Sequence, residues 1–159
     1  MEIILAENHG FCYGVKRAVE MADEAANSEG KSYTLGPIIH NPQVVGRLEN
    51  KGVSPIQEVA DIDEGTMIIR SHGVGPAIYA EAEEKGLHIL DATCPHVKKA
   101  QQDAKSVIED GMTLVILGEK NHPEVKSINL WANNKGIIIE DEESAEKLQI
   151  VEKMGVVVQ

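Results

Sequence analysis

The chain has 159 residues and a net charge of −11, with 15 Lys and Arg against 26 Asp and Glu. That balance excludes nucleic acid as the main partner, because phosphate contacts need clustered cations, and no apolar run is long enough to span a bilayer. Hydrophobic residues make up 42% of the chain but aromatic ones only 3%, so the core must be aliphatic. The apolar run at 1–7 is too short for a signal peptide. Two cysteines, Cys12 and Cys94, lie too far apart for a secreted disulfide framework. A cytoplasmic protein is expected. Arg17, Arg47 and Arg70 are scattered and form no guanidinium clamp.

Ile3 to Ala6 reads as a short strand, followed by a loop carrying His9 and Cys12. A helix is predicted from about Gly14 to Asn27, with Val15, Ala18, Val19 and Ala22 on one face. Ser32 to Gly36 reads as a strand, Pro37 to Asn41 as a loop carrying His40, and Pro42 opens a short helix ending near Asn50. Val53 to Ile56, an acidic stretch and the strand Thr66 to Arg70 follow, and Ser71-His-Gly-Val-Gly-Pro76 turns into a helix over Ala77 to Lys85. The strand Leu87 to Leu90 delivers Cys94.

The second half repeats this order. Pro95 to Asp110 is a helix, Met112 to Leu117 a strand, and the loop after it carries His122 before Pro123 opens a helix to Trp131. Ile137 to Glu140 is a strand, Glu142 to Gln149 an acidic helix, and Gly155 to Val158 a last strand. Strands separated by helices imply parallel βαβ connections, so the fold class is α/β with mainly parallel sheets. Cys12 matches Cys94, Val15 matches Val97, Leu35-Gly36 matches Leu117-Gly118 and His40 matches His122, all at an offset of 82. Each cysteine is followed 28 residues later by a histidine in Leu-Gly-x3-His. Several matches at one offset read as an internal duplication. The second copy stops after its strand 155–158, where the first runs on to another cysteine, so the chain is expected to be part of something longer.

His9, Cys12, His40, His72, Cys94, His122 and Glu124 all fall just after a predicted strand or at the next helix start, the edge where parallel sheets bind ligands. His88 lies inside a strand and is expected to be structural or exposed. A lone cysteine in an α/β protein is most often a small buried hydrophobe, but a helix start favours a thiolate. A loop histidine needs no role, and Glu124 is equally an acidic residue favoured by a helix dipole. The glycines around His72 form either a simple turn or a backbone cradle for an anion. The run 140–143 is a solvated helix start. A zinc site lacks the usual short cysteine spacing, and a cysteine–histidine nucleophile leaves the duplication unexplained. A shared iron–sulfur cluster explains it better, with further thiolates beyond Gln159, the next one roughly 20 to 30 residues on.

Gly10-Phe-Cys-Tyr-Gly-Val15, Ile39-His-Asn-Pro42, Ser71-His-Gly-Val74, Asp91-Ala-Thr-Cys-Pro95 and Asn121-His-Pro-Glu-Val125 resemble the 4-hydroxy-3-methylbut-2-enyl diphosphate reductase (IspH/LytB) family, in order over essentially the whole chain. The resemblance implies three pseudo-symmetric α/β modules around one 4Fe–4S cluster. Residues 1–13 would join the absent third module, 14–94 would form the first, and 95–159 a truncated second. It implies the last step of the non-mevalonate isoprenoid pathway, reductive dehydroxylation of an allylic diphosphate to isopentenyl and dimethylallyl diphosphates. Carried over by motif, Cys12 and Cys94 are cluster ligands, His40, His72 and His122 bind the diphosphate, and Glu124 directs protons; protonated histidines and helix N-termini can neutralise a diphosphate without arginine. A ferredoxin- or flavodoxin-type electron donor and a monomer are implied. The family's third cysteine, its Ser–Asn motif, a late serine and a threonine would fall after Gln159, so this chain alone is expected neither to hold an intact cubane nor to turn over. The reading from another class is a non-enzymatic module that senses metal or redox state through Cys12 and Cys94.

Overall fold

The computed structural model describes residues 2–7, 9–149 and 151–159. Helix α1 (Tyr13–Ala26) lays Ala18, Val19, Ala22 and Ala25 against a four-stranded sheet. The strands are β1 (Ser32–Leu35), β2 (Val53–Ile56), β3 (Thr66–Ile69) and β4 (His88–Asp91), in the order β2-β1-β3-β4. Every pairing is parallel, with Ser32 opposite Val53 on one side and Thr66 on the other. Met67, Ile68 and Ile69 of β3 are all fully buried, because successive side chains leave opposite faces and both faces are covered. Ile68 packs with α1 and with Leu48 of α2 (Pro42–Glu49), while Met67 and Ile69 pack with Val59, Ile62 and Ala82. Val59 belongs to a single 3₁₀ turn (Val59–Asp61) inside the acidic stretch, and Ala82 to α3 (Pro76–Glu84).

The second half reuses the design. After α4 (Pro95–Glu109) come β5 (Thr113–Leu117), α5 (Pro123–Trp131), β6 (Ile137–Ile139), α6 (Glu142–Glu146) and β7 (Met154–Val158). Its sheet is parallel with the order β6-β5-β7, which matches β2-β1-β3. The duplication extends to single hydrogen bonds. Gly36 closes β1 by donating to Ile56 O at 2.7 Å, and Gly118 closes β5 by donating to Ile139 O at 3.0 Å. Ala104, Leu114, Ile116, Val125, Ile128 and Val157 form the second core.

Two expectations need correction. Ile3 to Ala6 is not a strand: no strand of either sheet lies beside it, and Ile3, Ile4 and Leu5 are 73%, 83% and 75% exposed. The acidic helix stops at Glu146, short of Gln149, with only one capped turn to hold it. Ile150, between that helix and the last strand, lies outside the described residues.

The two halves dock through the loop after β3. Trp131 Nε1 donates to Val74 O at 2.9 Å, and its ring stands edge-on to Tyr79 with centroids 6.0 Å apart. A side chain on Gly75 would come within 2.8 Å of Leu130. Replacing Trp131 by Phe keeps an aromatic ring beside Tyr79 but orphans Val74 O. We expect a loss of about 1 kcal/mol in urea unfolding followed by circular dichroism, and an unchanged midpoint would remove this bond from the docking account.

Candidate functional site

Cys12 and Cys94 hold equivalent positions, as the N-caps of α1 and α4. Their carbonyls accept from Lys16 N and Lys98 N at 2.9 Å, which starts each helix, while neither side chain caps it. Both sulfurs are left beside the positive end of a helix dipole. Cys94 is half-buried and Cys12 exposed. The two helix starts meet at Gly14, where a Cβ would overlap Cys94 Sγ and lie 3.0 Å from Cys94 Cβ.

The segment delivering Cys94 is braced from several sides. Asp91 accepts from Thr93 N at 3.0 Å, from Lys98 at 2.6 Å and from Tyr79 Oη at 3.2 Å. Burial alone would raise the Asp91 carboxyl, but the Lys98 and Thr93 hydrogen bonds and the Lys98 charge bring it below the usual carboxylate range. Arg17 reaches from α1 to donate to Thr93 O at 3.2 Å and Asp91 O at 3.4 Å. Cys94 N donates to Ser71 O at 2.9 Å, which ties the cysteine to the loop carrying His72.

His40, His72 and His122 come from three separate loops and converge. Ring centroids are 4.5 Å apart for His40 and His72, 5.9 Å for His72 and His122, and 6.5 Å for His40 and His122. Asn41, next to His40, caps α2 by accepting from Val44 N at 3.0 Å. In the second half His122 itself is the cap, its Nδ1 accepting from Glu124 N at 3.2 Å. That bond assigns the remaining proton of a neutral His122 to Nε2. Glu124 is half-buried in the first turn of α5. The cysteine and histidine loops touch at Gly73, whose φ of +71° suits glycine and where a Cβ would meet Gln101 Nε2, Thr93 Cγ2 at 2.9 Å and Ser127 Oγ at 3.1 Å.

The other histidines stay apart. His9 is exposed with its Nδ1 2.8 Å from Ala6 O, His88 is exposed at the start of β4, and His96 is exposed on the first turn of α4. No group of three or more His, Cys, Asp or Glu among the described residues is arranged to hold a metal ion. Two thiolates at helix starts suit two corners of an iron–sulfur cluster, and further ligands would have to come from elsewhere.

Sequence reasoning missed Gly14, the Arg17 brace and the buried Gln101–Ser127 hydrogen bond under the loop junction. One signal existed: Gln101 lies on the same helical stripe as Val97 and Ala104, where a polar residue needs a partner.

Burial sets the charge state of His72 in the free protein. Its ring is 8% exposed with Nδ1 unpartnered, and it is pushed down to about 4 by burial first, then by His40, Arg70 and His122. Above pH 6.5 the ring is neutral folded and unfolded alike; between 6.5 and about 4 only the unfolded chain takes the proton. The stability tied to this ring is therefore fully present above 6.5, declines as the pH falls through that window, and levels off below about 4. In an NMR titration of the histidine Cε1–H signals, His72 is expected to titrate near 4; a midpoint above 6 would contradict the buried placement.

A family described as "LytB protein" matches residues 3–159. The 4-hydroxy-3-methylbut-2-enyl diphosphate reductase of Geobacter metallireducens is 50% identical across the whole chain, which spans 56% of that relative's length. The enzyme of the same name from Pelobacter propionicus is 51% identical, with 57% of it spanned. A solved structure of (E)-4-hydroxy-3-methyl-but-2-enyl diphosphate reductase, the terminal enzyme of the non-mevalonate pathway, superposes with a TM-score of 0.85 at 47% identity, covering 99% of this chain and 57% of that one. The reductase structure from Plasmodium falciparum gives 0.90 at 31% identity, over 96% of this chain and 49% of that one. The chain spans about half the length of these relatives, and it belongs to the LytB family.

Proposed function

We propose that these residues form part of a cytoplasmic 4-hydroxy-3-methylbut-2-enyl diphosphate reductase, with Cys12 and Cys94 as cluster ligands, His40, His72 and His122 as the diphosphate site and Glu124 as the proton donor. The observation that carries this reading is the convergence of three imidazoles from separate loops, all within 6.5 Å, on a loop tied directly to Cys94. No helix among the described residues is long and apolar enough to cross a membrane.

The reaction replaces a C–OH bond by C–H, taking up two electrons and two protons and releasing water. A bound 4Fe–4S cluster supplies the electrons one at a time and a Lewis-acidic iron. The chain has only two cysteines, so at least one further thiolate comes from a third module of the family-length protein. Residues 14–94 and 95–159 would be its first two modules, and residues 1–13 would join the third, supported by the exposed Ile3, Ile4 and Leu5. A ferredoxin- or flavodoxin-type protein would deliver the electrons to a monomeric enzyme.

The chain's own residues handle the anion and the protons. A diphosphate entering the imidazole cluster restores to His72 the favourable charge environment that burial removed, so the anion and a proton bind together. His122, with Nδ1 occupied by the Glu124 amide, presents Nε2–H as a donor. The Glu124 carboxyl, in the first turn of α5 next to the His122 cap, would protonate the departing hydroxyl.

In the family-length protein, Glu124→Gln is expected to keep the cluster absorbance and substrate affinity within about threefold while lowering kcat about a hundredfold or more. Turnover within threefold of the unaltered enzyme would take Glu124 out of proton delivery. Loss of the cluster absorbance would assign it a structural role instead.

A further inference from the structure

Two of the three arginines hold the structure together: Arg17 braces the Cys94 segment, and Arg47 pairs with Asp23 at 2.7 Å. Arg70, just past β3, does neither. It forms no ion pair among the described residues, and its Nε is buried without a hydrogen-bond partner. Burial lowers its pKa, but a guanidinium does not lose its proton at neutral pH. A buried donor on a fixed charge is therefore left unsatisfied, an arrangement that needs an explanation.

The position supplies one. In the order β2-β1-β3-β4 the connections leave β1 and β3 in opposite directions, so their carboxyl ends flank the point where an open parallel sheet binds ligands. The guanidinium lies over Gly36, where φ is +71° and a Cβ would sit 2.8 Å from Nη1. The crevice opens into a cleft of about 430 Å³ between this edge and α5. Leu35, Ile78 and Leu130 supply an aliphatic wall, and the exposed Lys126 adds a second cation with no ion pair among the described residues. The start of α3, with Gly75 as its N-cap and no side-chain cap, borders the same space. No carboxylate lines the cleft, although the chain carries 26 acidic residues. His40, His72 and His122 do not line it either.

We propose that this cleft is a second anion site, distinct from the imidazole cluster, which binds a short-chain alkyl phosphate. The phosphate head sits on Arg70 and Lys126 at the switch point, and the hydrocarbon lies along Leu35, Ile78 and Leu130. A phosphate fits because two cations and a helix start outmatch one carboxylate charge. An aliphatic tail fits because Leu35, Ile78 and Leu130 line the cleft, with Gln57, Asn121 and Ser127 as its only other polar side chains.

The site is tested by titrating ¹⁵N-labelled protein with butyl phosphate, inorganic phosphate and butanol. Butyl phosphate is expected to give saturable shifts at the Gly36 and Gly75 amides and Arg70 Nε–H, with inorganic phosphate at least threefold weaker and butanol leaving Arg70 Nε–H unmoved. Arg70→Gln should weaken butyl phosphate at least tenfold, and Lys126→Gln, on an exposed position that folding does not need, at least threefold. His72→Asn should leave the affinity within twofold. Shifts confined to the His72 loop, or equal affinity in both the Arg70 and Lys126 variants, would overturn the proposal. Equal shifts with butanol would reduce the cleft to an apolar groove and overturn it as well. None of these outcomes depends on the histidines binding diphosphate.

Discussion

Gly14 stands in the first turn of α1 where any side chain would run into the Cys94 sulfur. Because that one position carries no Cβ, the start of α1 can lie directly against the Cys94 side chain. The rest of the local architecture holds this approach in place. Arg17 clamps α1 to the Asp91–Thr93 segment, Asp91 is held by Lys98 and Tyr79, and Cys94 N is bonded to the His72 loop. A displacement of α1 would therefore move Cys12, the Cys94 support and, through Ser71, the imidazoles together.

Duplication accounts for how a chain with two cysteines builds such a place. Each half brings a cysteine at the N-cap of its first helix and a histidine after its first strand, and parallel topology puts both at the same edge. The copies then diverge in chemistry. His40 stays exposed beside an asparagine that does the capping, whereas His122 caps α5 itself and so has one ring nitrogen committed. His72 belongs to the first half alone, and its burial gives the cluster a ring that stays neutral at neutral pH. Three histidines in one cluster thus differ in exposure and in tautomeric freedom.

Much of the fold was legible because punctuation and periodicity agree. Pro42, Pro95 and Pro123 each open a helix, and β2 and α5 keep their expected bounds. The helices between successive strands made the parallel connections readable, since strands joined that way leave few other topologies. What was not legible depends on tertiary neighbours. Ile3 to Ala6 has strand composition but no strand to pair with. The neutral state of His72 follows from burial that no local pattern announces, and the close approach at Gly14 joins residues 80 positions apart. Arg70 looked like one of three scattered arginines until the partners of the other two were known.

The central claim is that Cys12 and Cys94 share one space before any cofactor binds. Treating the reduced protein with a short bifunctional thiol reagent, then mapping the product by peptide mass, tests it directly. The account expects an intramolecular Cys12–Cys94 cross-link to dominate under native conditions, to vanish in urea, and to be strongly suppressed when Gly14 is replaced by Val. Cross-linking no faster in the folded protein than in urea, or products that join only separate molecules, would contradict it.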